Sequence, residues 1–340
     1  LPKKKLPGAD WILYVYDKAD RLIFTQDGEQ RAKSEWMFSI PDAFGRIVLT
    51  GTCKNAITNL AFLENIVVNA KMNLANVTNK YYDITGISLT TATILSANYY
   101  DNYEFKIKDD FTKLNYVAQS GYGTQYVNSK GLLTGSMTAI LDGSGKYLYT
   151  SLYYDYKGNV IQSKSTNHID GVESEYIAYT FAGSPTKRLH THTANGKTTQ
   201  TELYTYAYDH AGRMTSTKHK LNNGSEILLA QNSYDELGRL TTSTANNQAG
   251  LKTTYVYNIR SWVNSITNTH FIENLTYKLS GNIATQEWKQ ANKTRKYTFD
   301  YDNLSRIKSV TYTNPDPNFS KEKFAENMTY DKHGNIKTIK

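Results

Sequence analysis

The sequence predicts an all-β fold: an array of antiparallel β-hairpins about 25 residues apart, with a minor helical insertion. Three observations lead there. A seven-residue turn motif recurs along the chain. Residues between its copies alternate Thr, Tyr and apolar side chains, the period-2 pattern of a half-exposed strand. The composition leans the same way, with 28 Tyr, 40 Thr and 30 Asn among 340 residues. Thr and Tyr suit pleated surfaces, and Asn and Gly suit tight turns.

The clearest motif copies are Tyr208-Asp209-His210-Ala211-Gly212-Arg213-Met214 and Tyr234-Asp235-Glu236-Leu237-Gly238-Arg239-Leu240. Tyr301-Asp302-Asn303-Leu304-Ser305-Arg306-Ile307 replaces the Gly by Ser. Tyr154-Asp155-Tyr156-Lys157-Gly158-Asn159-Val160 and Tyr330-Asp331-Lys332-His333-Gly334-Asn335-Ile336 replace the Arg by Asn. Weaker copies begin at Tyr179, Tyr257 and Tyr277. Two more stand near the N-terminus, at Tyr16-Asp17 and at Asp42, where Pro41 takes the place of Tyr.

Each motif has a local physical meaning. Tyr ends a strand. Asp accepts a hydrogen bond from a backbone N–H two residues on and starts a turn. Two variable residues form the centre of a type I turn, and Gly takes positive φ, giving a three-residue hairpin loop with a bulge. Ser305 should be mildly strained at the Gly position. Arg and an apolar residue then open the return strand on opposite faces. Between motifs lie second turns, of which Asn195-Gly196 and Asn223-Gly224 favour type I′.

Three segments result: N-terminal hairpins at 1–51, a degenerate insert at 52–152, and the main repeat array at 153–340. The insert carries only degenerate copies, such as Tyr82-Asp83 and Tyr100-Asp101. Apolar residues from Ala56 to Ala75 fall near helical spacing, which predicts one helix there. Asp142-Gly143-Ser144-Gly145-Lys146 reads as a hairpin turn. A lone hairpin cannot bury its apolar face in water, so stability should be spread along the array.

Composition and charge exclude several classes. No run of ~18 apolar residues exists, so no membrane span is expected. Aromatic residues at 13% and charged residues at only 21% argue against disorder. The single Cys53 excludes an internal disulfide framework and a Cys-rich zinc site. The net charge is +8, but Lys and Arg are scattered among Asp and Glu, with Lys3-Lys4-Lys5 the one run. That is not the footprint of a nucleic-acid binder. The start at Leu1 without Met reads as a fragment or a processed product.

The Tyr-Asp-x-x-Gly-Arg-[Leu/Ile/Met] units resemble the YD repeat of the bacterial Rhs family and the related teneurins, over nearly the whole chain. Trp36 through Gly51, Gly131 through Gly135 and Tyr153 through Gln162 also resemble bacterial surface members of that family. The resemblance implies a strip of hairpins spiralling into a partial hollow shell. It implies a secreted or cell-surface bacterial protein whose shell encloses or presents a C-terminal, toxin-like cargo polypeptide. Other members are wall-associated and credited with carbohydrate binding, so a glycan-binding surface module is the alternative. Family shells often end in a segment with self-cleaving aspartates. No such segment is found here, and cleavage does not carry over.

Candidate chemistry is sparse, and no catalytic, cofactor-binding or metal-binding residue is assigned. His190 and His192 lie on one strand face and could hold a metal with a third ligand, but no carboxylate follows at suitable spacing. His210 and His333 occupy variable turn positions and should face solvent. Gly143-Ser144-Gly145-Lys146 lacks the Ser or Thr of a phosphate loop, since Tyr147 follows the Lys. No Gly-x-Ser-x-Gly elbow occurs. Cys53 reads as a small buried residue. The recurring Arg residues could ladder with the motif Asp residues, and Trp11, Trp36, Trp262 and Trp288 read as core anchors rather than sugar platforms. The expected role is therefore structural and non-enzymatic.

Overall fold

A computed structural model of the chain describes residues 2–56, 62–291, 293–314 and 324–340. The all-β expectation holds. Strand follows strand, and most hydrogen-bond to their sequence neighbours in antiparallel register. Two compact units divide at 203/204.

In the first unit, strand Trp11–Tyr16 pairs with Leu22–Gln26, which pairs with Trp36–Pro41 and then Ile47–Cys53. The meander resumes with Thr93–Asp101, Ser129–Ala139, Tyr147–Tyr154, Val160–Thr166, Val172–Tyr179 and Pro185–His192. Ile47–Cys53 pairs directly with Thr93–Asp101, so the chain between them is an excursion from one hairpin. That excursion carries its own two-stranded ladder, Asn69–Met72 with Tyr82–Thr85. A second excursion follows Asp101 and makes helical turns at Glu104–Ile107 and Asp109–Leu114.

These excursions supply much of the core. Phe105, Phe111 and Leu114 from the second are fully buried, as are Leu63 and Val68 from the first. Tyr99 stacks on Phe105 at 4.7 Å between ring centres and meets Phe111 edge-on at 5.4 Å. The sheet must be thin beneath them. A Cβ on Gly135 would lie 2.3 Å from Phe105 Cζ. Cys53 is buried, as expected.

The helix expected over Ala56–Ala75 does not form in its described part; residues 57–61 lie outside the described residues. Leu63–Asn65 is a single 3-10 turn, and Asn69–Met72 is a strand. Asparagines decide this. The Asn73 and Asn76 side chains accept from the backbone amides of Ala75 and Asn79, a turn-forming bond that competes with helix. Leu63, Val68 and Ala70 point inward, whereas Phe62, Ile66 and Val67 are exposed, so the apolar spacing does not mark one helix face. A one-turn α-helix lies elsewhere, at Gly28–Ala32, where Asp27 and Gln30 form a reciprocal capping box.

The second unit runs as a continuous antiparallel meander, its register shifted by bulges, through Met214–Leu221, Ile227–Tyr234, Leu240–Ala245, Lys252–Tyr257, Val263–Thr267, Phe271–Tyr277, Ile283–Gln290, Lys293–Tyr301 and Ile307–Thr313. Glu326–Tyr330 and Ile336–Ile339 follow as another hairpin. Among its described residues, Val310 is the one buried apolar side chain. Aromatic rings are half-buried and lean on one another across strands, as Trp288 on Tyr297 at 5.2 Å and Tyr297 on Tyr312 at 5.4 Å.

The Asn-Gly turns differ from expectation. Type I′ needs positive φ at both central residues. At Asn195-Gly196 only the Gly has it, with φ +68°. Beside Gly224 the positive-φ residue is Asn222, inside a turn closed by Gly224 N–H on the Leu221 carbonyl. The Asp142–Lys146 segment is the hairpin turn expected, with positive φ at Gly143 and Gly145.

Candidate functional site

The motif turns form the most regular constellation in the chain. At Tyr208–Met214 the backbone closes twice: Asp209 N–H donates to the Arg213 carbonyl, and Gly212 N–H to the Asp209 carbonyl, both at 3.0 Å. Gly212 takes φ +77°. Asp209 Oδ1 then accepts the backbone N–H groups of Ala211 and Arg213, at 3.0 and 2.9 Å. Its other oxygen accepts Arg213 Nε at 2.6 Å.

The same pattern recurs around Asp235, where Arg239 Nε lies at 2.7 Å, and around Asp302, where Arg306 Nε lies at 2.7 Å. Asp17 with Arg21 and Asp42 with Arg46 repeat it near the N-terminus. Asn replaces Arg without changing the logic. Asn159 Nδ2 donates to Asp155 at 2.9 Å, and Asn335 Nδ2 to Asp331 at 2.8 Å. A strand bulge falls just before the motif Tyr in the hairpins that the motif closes, as at 153/154, 233/234, 300/301 and 329/330. Gly158, Gly238 and Gly334 take φ of +82°, +84° and +88°. Ser305 is held at φ +61°, the strain its position implied.

These bonds hold the motif carboxyls of Asp209, Asp235 and Asp302 below the ordinary carboxylate value. The backbone amide of the following Arg acts first, and its guanidinium adds to it. At Asp331 the Asn335 side chain leads. At Asp17 burial pushes the other way, but Arg21 and the amides of Val68 and Ala19 outweigh it.

A second set of contacts joins one motif to the next, and sequence reasoning missed it. Arg213 reaches over Tyr234, with its guanidinium 4.8 Å from the ring centre, and its Nη1 donates to the Asp235 carbonyl at 3.3 Å. Arg239 does the same to Tyr257 and the Asn258 carbonyl, at 4.9 and 3.1 Å. Arg306 covers Tyr330 at 4.4 Å. Trp262 stands at the Arg position of its motif and packs on Tyr277 at 5.0 Å.

The Tyr returns the contact. Tyr234 Oη–H donates to the Met214 carbonyl at 3.0 Å, the seventh residue of the preceding motif. Tyr257, Tyr301 and Tyr330 donate likewise to Leu240, Ile283 and Ile307, at 2.9, 2.9 and 2.8 Å. Tyr179 bonds Val160, and Tyr154 bonds Leu133, across the same step in the first unit. Arg46 covers Tyr100 at 4.3 Å, so the clasp passes over the intervening excursion. Repeated Arg and Tyr at fixed motif positions were the available signal. The twenty-odd residues between partners concealed it.

The remaining candidates resolve as follows. Glu173, across the ladder from His192, lies between both histidines of the strand Pro185–His192. Its oxygens lie 2.9 Å from His190 Nε2 and 2.5 Å from His192 Nδ1, and Asn167 also donates to it. Burial would raise its pKa, but Asn167 and the histidines hold it down. Among the described residues no group of three or more His, Cys, Asp or Glu is arranged to hold a metal ion. His210 and His333 are exposed. Burial raises the Cys53 thiol, against reactivity. Trp36 is a core residue, whereas Trp11 is 40% exposed under Lys3. A cavity of about 430 Å³ is lined by Phe44, Val48, Met72, Tyr82 and Tyr100, and both carboxylates at its edge, Asp42 and Asp101, are bonded to Arg46.

No family model matches the sequence, and no curated protein matches it. Solved structures do resemble the chain. A chain of the TcdB2–TccC3–Cdc42 crystal structure aligns over 97% of this chain and 19% of its own length, with TM-score 0.46 and 13% identity. The TcdB2–TccC3 crystal structure aligns over 96% and 16%, with TM-score 0.46 and 12% identity. The Photorhabdus luminescens Tc holotoxin pore, carrying a TccC3 variant, aligns over 96% and 18%, with TM-score 0.44 and 13% identity. The chain therefore spans about a fifth of the solved chains it resembles.

Proposed function

We propose that this chain is a wall segment of a secreted or cell-surface bacterial shell of the Rhs, or YD-repeat, type. It is a non-enzymatic array that encloses or presents a cargo polypeptide carried C-terminally by the same protein. One observation carries the reading. The motif Asp, Arg and Tyr side chains are consumed in closing turns and in clasping each hairpin to the next. Such residues build a surface by repetition, and chemistry done by that surface would be enclosure.

The parent protein, purified natively, tests this. The expected result is a C-terminal fragment that is cleaved yet stays bound until the shell is denatured. An intact chain with no captive fragment would overturn the reading. If that chain also bound glycans, and lost them on Trp288→Ala, the carbohydrate-binding alternative would take its place.

A further inference from the structure

An asparagine followed by glycine readily loses its side-chain amide, because glycine leaves its own backbone nitrogen unshielded and mobile. The sequence has two such pairs, Asn195-Gly196 and Asn223-Gly224. All four residues are exposed. Both pairs stand in turns, but the turns place the reacting nitrogen differently.

In the first turn, Lys197 N–H donates to the Ala194 carbonyl at 3.1 Å. Asn195 and Gly196 are therefore the two central residues. Gly196 takes φ +68°, as the third residue of a type II turn does. Its N–H meets no acceptor among the described residues, and the Asn195 side chain has no hydrogen-bond partner among them. The peptide joining 195 to 196 is the central one of the turn, so it can rotate while the closing bond stays made. The base of the turn is held. Thr193 N–H donates to the Val172 carbonyl at 3.0 Å, Asn195 N–H to the Ile169 carbonyl at 3.3 Å, and Asn167 Nδ2 to the Thr193 carbonyl at 2.8 Å. In the second turn Gly224 is the last residue. Its N–H is the closing donor, bonded to the Leu221 carbonyl at 2.9 Å. That nitrogen cannot attack without giving up the bond that closes its turn.

We propose that Asn195 is a site of spontaneous covalent modification to aspartate and isoaspartate, and that the fold shields Asn223 from the same reaction. The reaction uses water and the chain's own atoms. The Gly196 nitrogen gives its proton to solvent base and bonds to Asn195 Cγ. The Cγ–Nδ2 bond breaks, and the nitrogen leaves as ammonia with a proton taken back from solvent. Water then opens the cyclic imide at either of its carbonyls, giving aspartate or isoaspartate. Nothing is oxidised or reduced. Each event puts a new carboxylate on the connection between Pro185–His192 and Gln200–Tyr208, and the isoaspartate form also lengthens the backbone there.

Peptide mapping of the aged full chain tests this. The native chain is held at mildly alkaline pH, and tryptic peptides are followed by mass, with fragmentation assigning the converted residue. Asn195 should convert roughly two- to tenfold faster than Asn223, the factor that one net hydrogen bond supplies. In urea the two rates should converge, because each asparagine is followed by the same residue. Equal native rates, or faster conversion at Asn223, would overturn the proposal. So would a native chain that stays intact at Asn195 while the urea-unfolded chain converts there. A preference for Asn195 as large in urea as in the native chain would also overturn it, because the selectivity would then lie in the sequence and not in the turns.

Discussion

Alanine at Gly212 and at Gly238 should cost different amounts, although both residues close the same turn. Their φ values are nearly equal, at +77° and +84°. An L-residue held in the left-handed region costs roughly 1–2 kcal/mol, and the stiffer unfolded chain returns ~0.4–1 kcal/mol of it. Nothing lies within 4 Å of a Cβ built on Gly212, so the balance, about 1 kcal/mol, is the whole expectation there. A Cβ on Gly238 would lie 3.2 Å from Arg213 Nη1, the atom that donates to the Asp235 carbonyl. Nη1 must then give by a few tenths of an ångström, which weakens that 3.3 Å hydrogen bond, worth ~0.5–1.5 kcal/mol net when whole. Gly238→Ala should therefore exceed Gly212→Ala by up to about 1 kcal/mol. Urea unfolding at unchanged slope measures both. Amide exchange at residues 235–239 localises the effect to the turn. The excess should vanish in an Arg213→Ala background. Equal costs for the two alanines, or an excess that survives Arg213→Ala, would refute the coupling between neighbouring repeats.

Ser305→Gly relieves a left-handed serine and should raise the unfolding midpoint, by up to about 1 kcal/mol after the added chain entropy; a lowered midpoint would mean the serine hydroxyl matters more than its backbone. Tyr301→Phe deletes the donor to the Ile283 carbonyl and should destabilise by ~0.5–1.5 kcal/mol, read as faster amide exchange in Ile283–Gln290 and Lys293–Tyr301. Acid should weaken the array through its motif carboxyls. Their folded pKa values lie below the ordinary 3.8, so their contribution is complete above that value. It is lost as pH falls from 3.8 through the lower folded values, and Asp235→Asn should flatten that part of the stability profile.

The turns were legible because everything that makes them is local. Asp, Gly and Arg within five residues specify the carboxylate bonds, the positive φ and the bulge, and these recur even where Asn159 or Asn335 replaces Arg. The joints between turns were not legible. Arg213 and Tyr234 meet only because the hairpins pair in a register that no single repeat encodes. Glu173 between His190 and His192 was hidden for the same reason. The helix over Ala56–Ala75 failed differently. Leu63, Val68 and Ala70 are buried, as a helix pattern would want, but turn-forming asparagines set the backbone and the core took the apolar residues from a loop and a strand.

Among its described residues the second unit buries almost no side chain completely. Unfolding a sheet of this kind should expose comparatively little new apolar surface to water. Its heat-capacity increment per residue should then fall below the usual ~12–15 cal/mol/K. A small increment flattens the curve of free energy against temperature. Cold should weaken such an array less than it weakens a domain built around a greasy interior, because the force that fades on cooling was never its main support.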